Sequence, residues 1–206
     1  MIVSFKHKFV FVTTHRTASS SMMYALSEFC GSADIITPVN DYGRDALEPR
    51  NLDRLLAAGL NPKMAELKHI GVTAIRAIIP EARDFFTFCF ERSPWEKAVS
   101  AWQFAGLQMS FRQFLKHKVK GAVDYSLYAN GSTCLVDSVG QYADLYTDYE
   151  GICEKLKIPQ HTLPWLKKTC PIQLEDCYTE ETRDRVSHLF QREIAMHGYR
   201  YPPHPF

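Results

Sequence analysis

The stretch His15–Leu26, HRTASSSMMYAL, follows the apolar run Phe9–Thr14, FVFVTT, without a break. A cation and a cluster of small hydroxyl residues come first, and Met22, Met23, Leu26 and Phe29 then recur at helical spacing. That order is strand, turn, helix. It puts Arg16, Thr17, Ala18, Ser19, Ser20 and Ser21 at a helix start, where backbone N–H groups have no intrahelical acceptor and the helix dipole favours negative charge. The pattern predicts an anion seat at the end of a buried strand.

Working outward, residues 1–14 read as a first strand. KFVFVTT is continuously apolar, as suits a central strand covered on both faces. Lys6, His7 and Lys8 interrupt the start, so it does not read as a signal peptide. ADIITP is a second short strand stopped by Pro38, and residues 39–62 form a long polar insertion of the kind that borders sites, with a short helix near LDRLLAAG. KMAELK reads as a strand, and IGVTAIRAIIP as a helix with Val72, Ile75 and Ile79 on one face. DFFTFCFE, aromatic and apolar, is the clearest strand in the chain. Ser93, Pro94 and Glu96 then spell a capping box for a helix that carries Trp95, Val99 and Trp102 on one side. Beyond Gly106 the segments SFRQFLKHKVK, DSVGQYADLYTDYEGICEKLKIP and TEETRDRVSHLFQREIAMHGY all read as helical, the last stopped by Gly198. The expectation is a single α/β domain over residues 1–206, a P-loop-like three-layer fold with a central parallel sheet flanked by helices and a helical C-terminal half.

The net charge of +1 over 206 residues argues against a broad nucleic-acid footprint and makes any anion site local. No segment approaches the length of a membrane span. The six cysteines are scattered, without C-x-x-C pairs or zinc-ligand spacing, which points to a reduced cytoplasm and no metal site. The basic run RQFLKHKVK reads as a solvated helix face that could also attract an acidic acceptor.

A second anion seat follows DFFTFCF. Arg92 stands at the strand end and Ser100 lies two turns into the next helix, and ligands of open α/β sheets bind beyond the carboxyl ends of strands. Two such seats suit a ligand with phosphates at both ends.

In these residues the chain resembles the sulfotransferases that use 3′-phosphoadenosine-5′-phosphosulfate, in particular the carbohydrate and bacterial branch. HRTASSS stands where that family has a P-K-T-x-S-like loop, and FERSPWEKAVSAW resembles its second motif closely. KHIGVTAIRAIIP and the closing helix YTEETRDRVSHLFQREIAMHGYRY follow in the family's order. The resemblance implies sulfonate transfer from that donor to a hydroxyl of a carbohydrate or small metabolite, with adenosine 3′,5′-bisphosphate as product. It implies that Arg16 and the Thr17–Ser21 loop hold the 5′-phosphosulfate, with hydroxyl donors from Ser19, Ser20 and Ser21, and that Arg92 and Ser100 hold the 3′-phosphate. His15 and Arg16 replace the family's usual proline and lysine, and Gln141 and Ala143 stand where the family has an ion pair.

This chemistry needs charge stabilisation on the departing phosphate, an in-line acceptor and a proton acceptor. His69 is the first candidate for the base, with His15 and Glu66 as rivals. Lys167 and Lys168 are candidates for a loop contact to the 3′-phosphate. The alternatives are a P-loop nucleotide kinase, against which the loop offers neither glycine nor lysine, and a non-catalytic nucleotide-binding module.

Overall fold

The computed structural model describes residues 1–39, 47–60, 68–106, 108–164 and 173–202. Among them, in chain order, are β1 (Ile2–Ser4), β2 (Phe9–Phe11), α1 (Ser19–Ser27), β3 (Ile35–Ile36), α2 (Asp53–Ala57), α3 (Val72–Ile78), β4 (Phe86–Glu91), α4 (Pro94–Phe104), α5 (Phe111–His117), α6 (Tyr125–Tyr128), β5 (Ala129–Asn130), β6 (Thr133–Cys134), β7 (Ser138–Gln141), α7 (Leu145–Leu156), α8 (Leu174–Cys177), α9 (Glu180–Leu189) and α10 (Gln191–His197). The chain is mixed α/β. Its main sheet has the order β3-β1-β2-β4-β7, and β5 and β6 form a separate two-stranded ribbon.

The sheet is mixed, which corrects the expected all-parallel one. β2, β4 and β7 run parallel, while β1 is antiparallel to both β2 and β3. The expected single first strand is a hairpin, because the polar Lys6-His7-Lys8 interruption is its turn, with Lys8 at φ 54°. Asp34 holds that turn, accepting from Ser4 Oγ at 2.6 Å and from the Phe5 amide at 2.8 Å.

Alternation along the strands divides the core between the two faces of the sheet. Phe9, Phe11, Phe88 and Phe90 pack with Met22, Met23 and Leu26 of α1 and Tyr149 and Ile152 of α7. Val10, Val12 and Cys89 pack with Val72 and Ile75 of α3 and Tyr125 and Tyr128 of α6. Both sides of β2 are thus covered, which explains its unbroken apolar sequence. A third cluster joins Trp95 and Val99 of α4 to Phe111 and Phe114 of α5 and to Val186 and Phe190 near the C-terminus.

Three local expectations change. Ser138–Gln141, expected to be helical, is β7, because this short segment completes the sheet beside β4 with Val139 opposite Cys89. The Ser93 side chain does not cap α4, and the capping boxes are instead at Ser110 with Gln113 and at Thr179 with Thr182. The closing helix breaks at Phe190 into α9 and α10, and Gly198 ends it at φ 69° as expected. Residues 63–67 of the expected KMAELK strand, Glu66 among them, and Lys167 and Lys168 lie outside the described residues. Among the described residues no helix is long and apolar enough to cross a membrane.

Gly140 is required by packing, since a Cβ there would meet the Phe90 ring at 2.5 Å. Gly140→Ala is expected to destabilise the fold by about 2 kcal/mol through overpacking against a buried ring. Urea unfolding checks this, and an unchanged midpoint would contradict the close approach.

Candidate functional site

Parallel pairing puts the carboxyl ends of β2, β4 and β7 at one edge of the sheet. The chain leaving β2 carries Thr13 to Ser19, the chain leaving β4 carries Arg92, and the chain leaving β7 carries Tyr142. The three exits are tied together: the Val12 amide donates to the Phe88 carbonyl, Thr14 Oγ1 to the Phe90 carbonyl, and the Tyr142 amide to the Glu91 carbonyl.

The first loop has no glycine, yet Arg16 and Ala18 both sit in the left-handed region, at φ 60° and 59°. For non-glycine residues this stores strain of about 1–3 kcal/mol each, and it persists only where the surroundings enforce it. The enforcing contacts are hydroxyls. Thr14 Oγ1, Thr17 Oγ1 and Ser19 Oγ form a chain with spacings of 2.8 and 2.9 Å, and Ser19 Oγ donates to the Thr14 carbonyl at 2.8 Å. Ser19, expected as a donor to a ligand, therefore uses its proton to shape the loop. Ala18 is the N-cap of α1, no side chain caps that helix, and Ser20 and Ser21 are buried in its first turn.

Arg16 and Arg92 converge beside this helix start. Arg16 Nε donates to Ser100 Oγ at 3.0 Å, and Arg92 Nη1 donates to the Arg16 carbonyl at 3.4 Å. The two seats expected at opposite ends of a ligand are thus one contiguous surface. Phe104 lies 4.5 Å from the Arg16 guanidinium and Tyr142 lies 4.0 Å from that of Arg92, each ring facing its cation. Burial, and then the nearby Arg92, lower the Arg16 pKa to about 10. Glu96 approaches Arg92 Nε at 3.7 Å, and among the described residues no carboxylate lies within ion-pairing distance of Arg16. Arg92 Nε itself is buried without a hydrogen-bond partner. One carboxylate approaches Arg92 and none pairs with Arg16 among the described residues, so the arrangement can seat an anion.

Behind the seat runs a buried ionic chain. Lys97 Nζ contacts Glu91 Oε1 at 2.5 Å and Asp124 Oδ2 at 2.6 Å, and none of the three side chains is more than 1% exposed. Asp124 also accepts from the His15 amide at 2.7 Å and lies 2.6 Å from His15 Nδ1. The His15 ring stacks on His69 at 3.6 Å, and His69 Nδ1 lies 2.8 Å from the Thr13 carbonyl, to which it must donate. Burial pushes the Glu91 carboxyl up to about 7 against the pull of Lys97. For Asp124 burial acts upward, but Lys97 and then His15 outweigh it and hold the group below its ordinary value. Burial, and then His15, lower His69 to about 3.

The structure thus brings together Arg16, Thr17, Ala18, Ser19, Arg92, Ser100, His15 and His69. Sequence reasoning missed the roles of Glu91, Lys97 and Asp124. A signal existed for Glu91, a carboxylate closing a wholly apolar strand, but none marked Asp124, which stands in an unpatterned loop.

No family model matches the chain. It is 29% identical to an uncharacterized protein of Archaeoglobus fulgidus over 85 residues, which are 37% of this chain and 71% of that protein.

The depressed His69 carries a stability signature. Between its folded value of about 3 and its ordinary 6.5, the unfolded chain binds a proton that the folded chain refuses, so this contribution is lost as pH falls. Glu91 acts oppositely over part of the range, because its folded carboxyl keeps a proton that the unfolded one releases. A comparison isolates His69. From about pH 6.5 to about pH 5, wild type is expected to lose about 2 kcal/mol more than His69→Gln, at 1.36 kcal/mol per unit. Equal losses in denaturant unfolding would show that His69 titrates normally.

Proposed function

We propose that this chain is a cytoplasmic sulfotransferase with a P-loop-like three-layer plan, moving a sulfonate from 3′-phosphoadenosine-5′-phosphosulfate to a hydroxyl of a carbohydrate or small metabolite. The observation that carries the reading is the convergence of Arg16 and Arg92 at the carboxyl ends of two adjacent parallel strands, where, among the described residues, one carboxylate lies 3.7 Å from Arg92 and none pairs with Arg16. A ligand with two phosphates supplies the missing negative charge. The motif resemblance supports the same donor, since both motifs fall on these residues.

In this reading the loop after β2 and Arg16 receive the 5′-phosphosulfate, and Arg92 receives the 3′-phosphate. Ser100 joins the two, because its hydroxyl accepts from Arg16 and keeps a proton to donate. As the bond from sulfur to the phosphate oxygen breaks, charge develops on the departing phosphate. Arg16, rigidly set by Ser100 and Phe104, stabilises it without reorganising. The strained loop serves this end: it holds a guanidinium and a helix start on one point. The histidine pair at the same sheet edge takes the acceptor's proton.

Calorimetric titration with adenosine 3′,5′-bisphosphate tests the reading. Wild type is expected to bind it. Arg92→Ala is expected to weaken binding by about thirtyfold or more, the loss of a charge-assisted contact worth about 2 kcal/mol. Arg16→Ala is expected to abolish turnover while the product nucleotide still binds. No binding by wild type, or retained turnover in Arg16→Ala, would contradict the proposal.

A further inference from the structure

Sequence alone favours His69 as the proton acceptor. The structure changes the choice. We propose that His15, oriented by Asp124, takes the proton of the acceptor hydroxyl, and that His69 serves as the neutral ring stacked behind it. This rests on the sulfonate-transfer reading and deepens it.

The argument begins with tautomers. The His15 Nδ1–H points at Asp124 Oδ1, 2.6 Å away, and a second bond, from the His15 amide to Asp124 Oδ2, fixes the same residue through its backbone. With Nδ1 committed as a donor, the lone pair of His15 is on Nε2. His69 has the same tautomer, its Nδ1–H given to the Thr13 carbonyl, but a carbonyl is a weaker partner for an imidazolium than a carboxylate. Rings stacked at 3.6 Å cannot both be imidazolium without strong repulsion, and of the two only His15 has a carboxylate against its N–H.

The groups facing the pair agree. Asp124 precedes α6, Lys97 comes from α4, Glu91 ends β4, and Glu193 of α10 accepts from the Tyr125 amide beside Asp124. Lys68 adjoins His69 and Arg16 adjoins His15, both unfavourable to a proton. Lys97 faces one oxygen of the buried Asp124, and His15 Nδ1 is the group in contact with the other. Burial and the neighbouring His15 keep His69 neutral down to about 3. Position completes the case. His15 immediately precedes Arg16, so proton acceptor and leaving-group clamp stand on consecutive residues of one strained loop.

The step balances. The acceptor oxygen forms its bond to sulfur as the bond from sulfur to the 5′-phosphate oxygen breaks, and that electron pair leaves with the phosphate. The acceptor's proton passes to His15 Nε2, and the imidazolium, held against Asp124, returns it to solvent after release. His15 is the catalytic residue here, and Asp124, which acts through it, is a positioning residue.

Long-range proton–nitrogen NMR of the histidine rings in the full chain, followed through a pH titration, reads the tautomer of each ring and the protonation of His69 directly. His15 is expected to show the Nδ1–H tautomer and His69 to stay neutral far below the ordinary histidine range, and Asp124→Asn is expected to abolish the tautomer preference of His15. In parallel, turnover of the phosphosulfate donor with 2-naphthol as acceptor is compared across variants. His15→Gln is expected to lower kcat by about 100-fold, the usual worth of a general base, with donor KM little changed, and His69→Gln by less than about tenfold. Asp124→Asn is expected to shift the acid limb of the pH profile, which a merely structural role would leave in place. An Nε2–H tautomer at His15, His69 taking up a proton in the ordinary histidine range, or His15→Gln retaining kcat within about threefold, would overturn the assignment. Failure of wild type to bind adenosine 3′,5′-bisphosphate would instead overturn the sulfonate-transfer reading, and with it any role of His15 in that reaction.

Discussion

Asp124 has no exposed side-chain surface, and its two oxygens take three donors from two parts of the fold. Lys97 reaches it from α4, and His15 reaches it with both ring and amide from the loop after β2. A carboxylate can be kept ionised in such a place only if its partners are charged and well aligned, because burial otherwise costs several kcal/mol per ion. Removing Lys97 would leave that charge uncompensated, and the loop that Asp124 holds would lose its anchor. The left-handed turns at Arg16 and Ala18 depend on that anchor, together with the hydroxyl chain of Thr14, Thr17 and Ser19.

Two sets of charges thus lie side by side and are treated differently. The inner set, Glu91, Lys97 and Asp124, is closed to solvent: each member has a partner at 2.6 Å or less, and Glu91 Oε2 alone is left without a hydrogen bond among the described residues. The outer set, Arg16 and Arg92, is open: the cations meet aromatic faces and a hydroxyl, and Arg92 Nε is left without a hydrogen bond. Closed sets specify geometry, whereas open sets attract ligands. The inner set lies behind the outer one, and the consecutive residues His15, which meets Asp124, and Arg16 link them.

The loop of Arg16 and the strand end of Arg92 were legible because local order reveals them: in each, an apolar strand, then a cation before a helix. The same held for β2, β4 and the core faces of α1 and α3. The hairpin of β1 and β2 was missed because each strand is only three residues long and the turn residues Lys6-His7-Lys8 looked like an interruption within one strand. β7 was missed because its neighbours in sequence are helix formers, and only pairing with β4 makes Ser138–Gln141 extended. The inner charges were hidden for a different reason. Lys97 sits among helix residues where a lysine normally faces water, and its partners Glu91 and Asp124 are distant in sequence, so only the fold brings them together. Ser100 meets Arg16 directly, a pairing between residues distant in sequence that no local pattern marks.

The central claim is that Arg16 and Arg92 form one seat for a doubly phosphorylated adenosine. A crystal structure of the protein with adenosine 3′,5′-bisphosphate tests it most directly. The account predicts the 5′-phosphate against the loop of Arg16 and the start of α1, with the 3′-phosphate on Arg92. A nucleotide bound elsewhere, or with its phosphates turned away from both guanidiniums, would contradict it.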